Sequence, residues 1–209
     1  MKLYKKILFI LPGIATLLGA CLNLKQPSNK LEFYTLEYDP PQLSDHKPLP
    51  CAIRLEPFTV APEYNSDRII YRDKSFKRDS YVYHRWHANP GNLVTSFLGR
   101  DMKNSGLFKA VLPYDTRLPS SYLLEGSVNE FLEWDAEEKW EAVLTLSITL
   151  MAGNEPDVNQ RILFQKNYHA REPCKQKNPR ALADAMSQAM STVSKEIIET
   201  LYNHLEKNR

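Results

Sequence analysis

The sequence predicts an α+β domain: a single, mixed and mostly antiparallel sheet with two helices packed on one face. Two observations carry that expectation. Residues from Tyr122 to Trp134 and from Trp140 to Met151 read as long strands joined by Asp135-Ala136-Glu137-Glu138-Lys139. In the second, Trp140, Ala142, Leu144, Leu146, Ile148 and Leu150 oppose Glu141, Thr145, Ser147 and Thr149, the alternation of a half-buried antiparallel strand. Asn-Pro also occurs twice, at 89–90 and 178–179, each time ahead of apolar residues spaced by three or four. Asn caps free backbone amides at a helix start, and Pro fits the first turn because no donor is needed there.

Taken in order, the chain opens with Lys2, Lys5 and Lys6 before an uncharged run from Ile7 to Leu18. That layout is a secretory signal. The run is about a dozen residues and contains Pro12 and Gly13, whereas a helix crossing the hydrocarbon core needs about 20. It ends in Leu18-Gly19-Ala20-Cys21, which resembles the lipobox of bacterial lipoprotein precursors. Small residues admit the processing enzyme, and only a thiol forms the thioether to diacylglycerol. The expected product carries diacylglycerol and an N-acyl chain on Cys21, with no other cofactor; an unmodified Cys21 after an ordinary cleavage site is the alternative. Each buried CH₂ adds about 0.8 kcal/mol, so several acyl chains hold a protein on a membrane. The expected division is a signal over 1–20, a lipidated tether over 21–30 and one domain over 31–209.

Removing the 20 residues before Cys21 leaves 189 of 209, enough for one core. The formal charge of +2 loses the three signal lysines and becomes −1. Lys and Arg are interspersed with Asp and Glu, so the basic stripe of a nucleic-acid binder is not expected. With Cys21 assigned to lipid, Cys51 and Cys174 remain and would meet an oxidising compartment after export. They are a candidate disulfide, worth about 4.7 kcal/mol for a loop of about 100 residues in the chain-entropy account. Two separate buried thiols, or a metal pair lacking further ligands, are the alternatives.

Leu22 to Lys30 is polar and aperiodic, a tether. Leu31 to Tyr38 alternates Tyr34, Leu36 and Tyr38 against Phe33, Thr35 and Glu37 and predicts a strand. Asp39 to Pro50, with four prolines, is a connection. Cys51 to Phe58 is a second strand, interrupted at Pro57, Arg68 to Arg72 a third and Tyr81 to Tyr83 a short fourth. The first helix follows Asn89-Pro90 with Leu93, Val94, Phe97, Leu98 and Met102, and stops at Asn104-Ser105-Gly106. Leu107 to Leu112 is a strand and Pro113 to Ser121 a loop, and after the two long strands Arg161 to Ala170 is one more. The closing helix starts at Asn178-Pro179 and runs to about Glu206, with Leu182, Met186, Ala189, Val193, Ile197, Leu201 and Leu205 on one face. That face is read as core.

Together these residues resemble the ABC-type transport auxiliary lipoproteins of the PqiC/YmbA kind. The resemblance rests on the lipobox, Phe33-Tyr34-Thr35-Leu36, the run from Ile53 to Tyr64, Asp67 to Arg72, Tyr83 to Pro90, Tyr122 to Gly126, Glu130-Phe131 and the closing helix. It implies a non-enzymatic subunit working with an ABC transporter permease and ATPase and an MCE-domain protein to move lipids or other apolar compounds across the bacterial envelope. It also implies a homo-oligomeric ring that meets the MCE protein at the outer membrane, facing the periplasm. Leu22, where Asp would retain a lipoprotein at the inner membrane, favours the outer one. An envelope assembly factor or structural periplasmic adaptor without cargo is the alternative.

Enzymatic features are scarce. His84 and His87 form an HxxH pair, but the local pattern is strand or loop, and the Glu of an HExxH motif is missing. They are read as surface histidines flanking a buried Trp86, with His169 and His204 equally isolated. No Gly-x-Ser-x-Gly elbow or phosphate loop occurs. The acidic residues Glu130, Glu133, Asp135, Glu137, Glu138 and Glu141 surround an expected hairpin tip and are read as a solvated turn. Trp134 and Trp140 beside it could be core edges, protein contacts or membrane-interface anchors, with core preferred. No catalytic and no metal residue is expected.

Overall fold

A computed structural model describes residues 30–43, 46–136 and 139–208. Leu31–Arg209 forms one compact unit. Its strands are β1 (Glu32–Tyr34), β2 (Leu49–Leu55), β3 (Thr59–Val60), β4 (Arg68–Arg72), β5 (Arg78–Trp86), β6 (Phe108–Pro113), β7 (Tyr122–Ala136), β8 (Lys139–Ala152) and β9 (Ile162–Pro173). Its helices are α1 (Pro90–Asn104), the short α2 (Val158–Arg161) and α3 (Pro179–Lys207). The expected α+β class holds.

The organising strand is β7. One edge pairs antiparallel with β8 from Tyr122↔Ala152 to Ala136↔Lys139. The other edge is shared end to end by three parallel strands: β2 at Tyr122 to Leu124, β3 at Ser127 and Val128, and β4 at Leu132 to Trp134. These three are one path along β7, broken at Pro57 and again at Pro62–Tyr64, a 3-10 turn. Pro has no N–H to give to a ladder, so the chain steps away at those points and returns. Beyond this path β6 joins β2 in parallel, while β5 joins β4 antiparallel and carries β1 in parallel. Beyond β8, β9 pairs antiparallel. The long β7–β8–β9 meander makes most of the ladder antiparallel, whereas the short pairings are largely parallel.

A bulge between Val128 and Glu130 shifts the register of β7. An inserted residue switches the side-chain parity, so Leu124 and Val128 before it and Phe131 after it all face the main core. There they meet Ala142, Leu144, Leu146, Ile148 and Leu150 of β8, the stripe expected from sequence. Gly126 lies in the same row, where a Cβ would stand 2.2 Å from the Phe58 ring, so only glycine fits beneath Phe58. Both long helices pack on this face, α3 through Leu182, Met186, Ala189, Val193, Ile197 and Leu201 and α1 through Val94, Leu98 and Met102. Their caps are as predicted: Asn89 accepts from the Gly91 N–H and Asn178 from the Ala181 N–H. Gly106 after α1 takes a φ of 64°, the left-handed stop. On the opposite face the 3-10 turn lays Tyr64 over Leu132 and Val143 as a small second core.

Several expected boundaries move. The first strand ends at Tyr34 rather than Tyr38, because the next residues leave the sheet for the helices. The strand at Tyr81 to Tyr83 extends over Arg78–Trp86, since hairpin pairing to β4 and the β1 ladder hold its polar residues. β3 and α2 have no counterpart in the sequence reading.

Candidate functional site

Residues 36–38 form a strap between the two helices. Leu36 is 1% exposed and sits in the core. The Glu37 N–H, which would otherwise serve a strand, donates to Ser187 Oγ of α3 at 2.9 Å. The Tyr38 hydroxyl donates to Asp101 Oδ2 of α1 at 2.7 Å, and its ring stacks on Phe97 with centroids 5.4 Å apart. Asp101 is 1% exposed and also accepts from Arg100, whose guanidinium lies 4.4 Å over the Tyr38 ring. Burial, then the hydrogen bond to Asp101, push the Tyr38 phenol far above its ordinary range, so it remains a donor. The chain is thereby fixed to both helices directly after it leaves β1.

Between the strap and the first turns of α3 lies an open groove of about 750 Å³ lined by Phe33, Thr35, Arg180, Asp184 and Ser187 among others. At its rim Tyr34 donates to Glu32 at 2.7 Å, and His84 Nδ1 lies 3.1 Å from the same carboxylate. Burial and Glu32 raise the Tyr34 phenol to about 12.

A second buried acid sits at this end of the sheet. Glu133 is 2% exposed, on the core row with Phe131, and accepts from the Tyr81 hydroxyl at 3.0 Å. Burial raises its pKa, opposed by the Tyr81 hydrogen bond and the charge of Lys177. The expected solvated turn therefore fails for Glu133: strand alternation divides the acidic residues between faces. Glu130 pairs with Arg72, Glu141 with Arg171, and Asp135 accepts from Lys177 and from the Trp140 indole. Both Trp134, which packs on the small second core, and Trp140 are half-buried and carry cations, with Arg72 4.4 Å from the Trp134 centroid and Lys177 5.0 Å from that of Trp140.

The candidate Cys51–Cys174 bond is not formed, and both thiols are free. Cys174 adjoins Trp140 and the start of α3, while Cys51 lies toward Tyr122 and Ala152. Two rulers separate them. The twelve steps of β8 from Trp140 to Ala152 span about 40 Å along the strand. The helix from Asp184 to Tyr202, whose hydroxyl reaches the Lys47 carbonyl, spans about 27 Å. A disulfide tolerates about 7 Å between Cα atoms. Burial, with Glu133 next, raises the Cys174 thiol to about 12, and burial also raises Cys51, so neither is poised as a thiolate. Cys21 lies outside the described residues.

His84 lies beside Glu32, His87 is exposed, and Trp86 between them is buried against Phe131. Among the described residues no group of three or more His, Cys, Asp or Glu side chains could hold a metal ion, and no helix is long and apolar enough to cross a membrane.

Residues 34–198 match the family model described as ABC-type transport auxiliary lipoprotein component. The chain belongs to the ABC-type transport auxiliary lipoproteins. The match starts at the end of β1 and ends within α3, so it includes the strap, most of the sheet and both buried acids of this auxiliary lipoprotein. The family is non-catalytic, in keeping with the reading that no enzyme is present. No curated protein matches the sequence. In fold, the auxiliary lipoprotein is similar to a crystal structure from Xanthomonas campestris, with TM-score 0.75, 18% identity and coverage of 85% of this chain and 98% of that one. It is also similar to a hypothetical protein of Chlamydia trachomatis, with TM-score 0.53, 7% identity and coverage of 75% and 98%.

Sequence reasoning passed over Asp101, placed Tyr38 in a strand and read Glu133 as part of a solvated turn. For Asp101 a signal was present, because it stands three residues after Leu98 on the apolar face of α1. Glu133 gave none, since its facing depends on the bulge.

Two outcomes follow from these acids. Tyr38→Phe leaves buried Asp101 without its hydroxyl donor and is expected to cost about 1–3 kcal/mol in denaturant unfolding. For Glu133 the folded form holds its proton more tightly than the unfolded chain, so stability declines as pH rises from the ordinary carboxylate range through the raised folded value. Glu133→Gln is expected to flatten that slope; an unchanged slope would assign it to other groups.

Proposed function

We propose that the mature auxiliary lipoprotein is anchored through acyl chains on Cys21 and serves as a non-catalytic subunit of an ABC/MCE-type system that moves lipids or other apolar compounds across the envelope. The family match over residues 34–198 supports this reading, because it covers the strap and most of the domain. In the proposed division residues 1–20 are the signal, 21–30 the lipidated tether and 31–209 the domain. Nine residues of tether reach at most about 30 Å, which keeps the body close to its membrane. Leu22 supports placement at the outer membrane, facing the periplasm. A homo-oligomeric ring of these bodies receives the MCE-domain protein, which links it to the permease and ATPase.

The strap supports an anchored role in physical terms. A pull on the tether is taken first by β1 and then by the Glu37–Ser187 and Tyr38–Asp101 bonds, and so by both helices rather than by one edge strand.

The test has two readouts in the native host. Metabolic fatty-acid labelling is expected to mark the wild-type Cys21 peptide, and Cys21→Ser to lose both the label and membrane sedimentation. Gentle detergent extraction is expected to co-purify MCE-domain and ABC components with the wild type. A labelled protein that recovers neither, where other envelope complexes survive, would overturn the transport role.

A further inference from the structure

The β4–β5 hairpin turns through Asp73-Lys74-Ser75-Phe76-Lys77. Asp73 Oδ1 accepts from the Ser75 N–H at 2.8 Å, closing the turn, and Phe76 follows with a φ of 64°. That left-handed region suits Gly or Asn, and a bulky side chain there is disfavoured. Phe76 is also 94% exposed. Neither backbone preference nor core burial accounts for a phenyl ring at this position.

Its surroundings are cationic. Lys74, Lys77 and Arg78 are exposed, and across Arg72 to Asp79 four cations stand against two carboxylates. The register then fixes where the tip points. β1 runs parallel to β5 with Glu32 opposite His84, so the amino-terminal end of β1 is the end toward the tip. From the level of Tyr83 to Lys77 is about 20 Å of strand. The stretch from Cys21 to Lys30 reaches at most about 30 Å, so Cys21 and Phe76 can lie on one plane.

We propose that Phe76 and the cations around it form a membrane-contact tip: the ring enters the interfacial layer of the phospholipid surface that holds the tether, and Lys74, Lys77 and Arg78 meet headgroup phosphates. The inference rests on the lipid-anchored placement proposed above and adds which end of the body faces the membrane. A lone ring on a projecting cationic turn suits a fluid anionic surface, which wraps a convex tip. Protein hot spots instead cluster in packed, desolvated patches.

The test uses the full acylated chain with Phe76→Trp, reconstituted into vesicles of phosphatidylethanolamine and phosphatidylglycerol with or without brominated acyl chains. Subtracting wild-type emission removes Trp86, Trp134 and Trp140. The added emission is expected to fall at least about twofold on bromination, as for an indole at the acyl boundary. Leu118→Trp, exposed in the loop before the far end of β7, is expected to be unaffected. Cleavage by trypsin at Lys77 is expected to be slowed by vesicles in the wild type and restored in Phe76→Gly, which suits the left-handed backbone. No quenching at position 76, equal quenching at 118, or an emission change that needs added envelope proteins overturns the inference, the last in favour of a protein contact. Intact mass reports acylation of Cys21 separately, so an anchored chain with an unquenched tip counts against the tip alone.

Discussion

The fold depends on β7 being bonded along both edges at once. A strand of 15 residues with β8 on one side could be an ordinary hairpin arm, but the other side holds β2, β3 and β4 in succession. Each of those parallel contacts is only two or three residues long and would be marginal alone. They persist because β7 is already fixed by its long antiparallel ladder and because α1 and α3 cover the same face. β6 attaches through β2, and β5 and β1 through β4, so both wings of the sheet are inherited from this strand.

That dependence reaches the functional end. β1 is three residues long and pairs with β5 alone among the described strands. Its security comes from the strap, where a buried leucine, a serine of α3 and an aspartate of α1 fix successive residues. The two deeply buried carboxylates serve different purposes. Asp101 is satisfied by Tyr38 and Arg100 and joins the strap to a helix, while Glu133 has the Tyr81 hydroxyl and a desolvated setting that favours its protonated form. Neither adjoins a nucleophile poised as an anion.

Legibility followed the range of the forces involved. The bounds of α1 and α3 were readable because caps, proline and apolar spacing are local, and the β8 face because alternation is local. β5 read short because its ends are Arg78, Asp79 and Ser80 at one side and His84 and Arg85 at the other, held by pairing rather than propensity. The parallel pairings had no local mark, and β3 was too brief to show. The bulge in β7 hid Glu133, since one inserted residue reassigns every later side chain to the other face. The disulfide expectation weighed compartment and number but not distance, and the lengths of β8 and α3 decide against it. The expectation for Cys21 rests on the residues around it in sequence, which lie outside the described residues.

Native-state hydrogen exchange tests the role of β7 most directly. Amides of Val128 and Leu132 are expected to exchange only through global unfolding, and that of Phe33 through local opening at lower free energy. Exchange of the β7 amides as fast as that of Phe33 would contradict the dependence of both sheet wings on this strand.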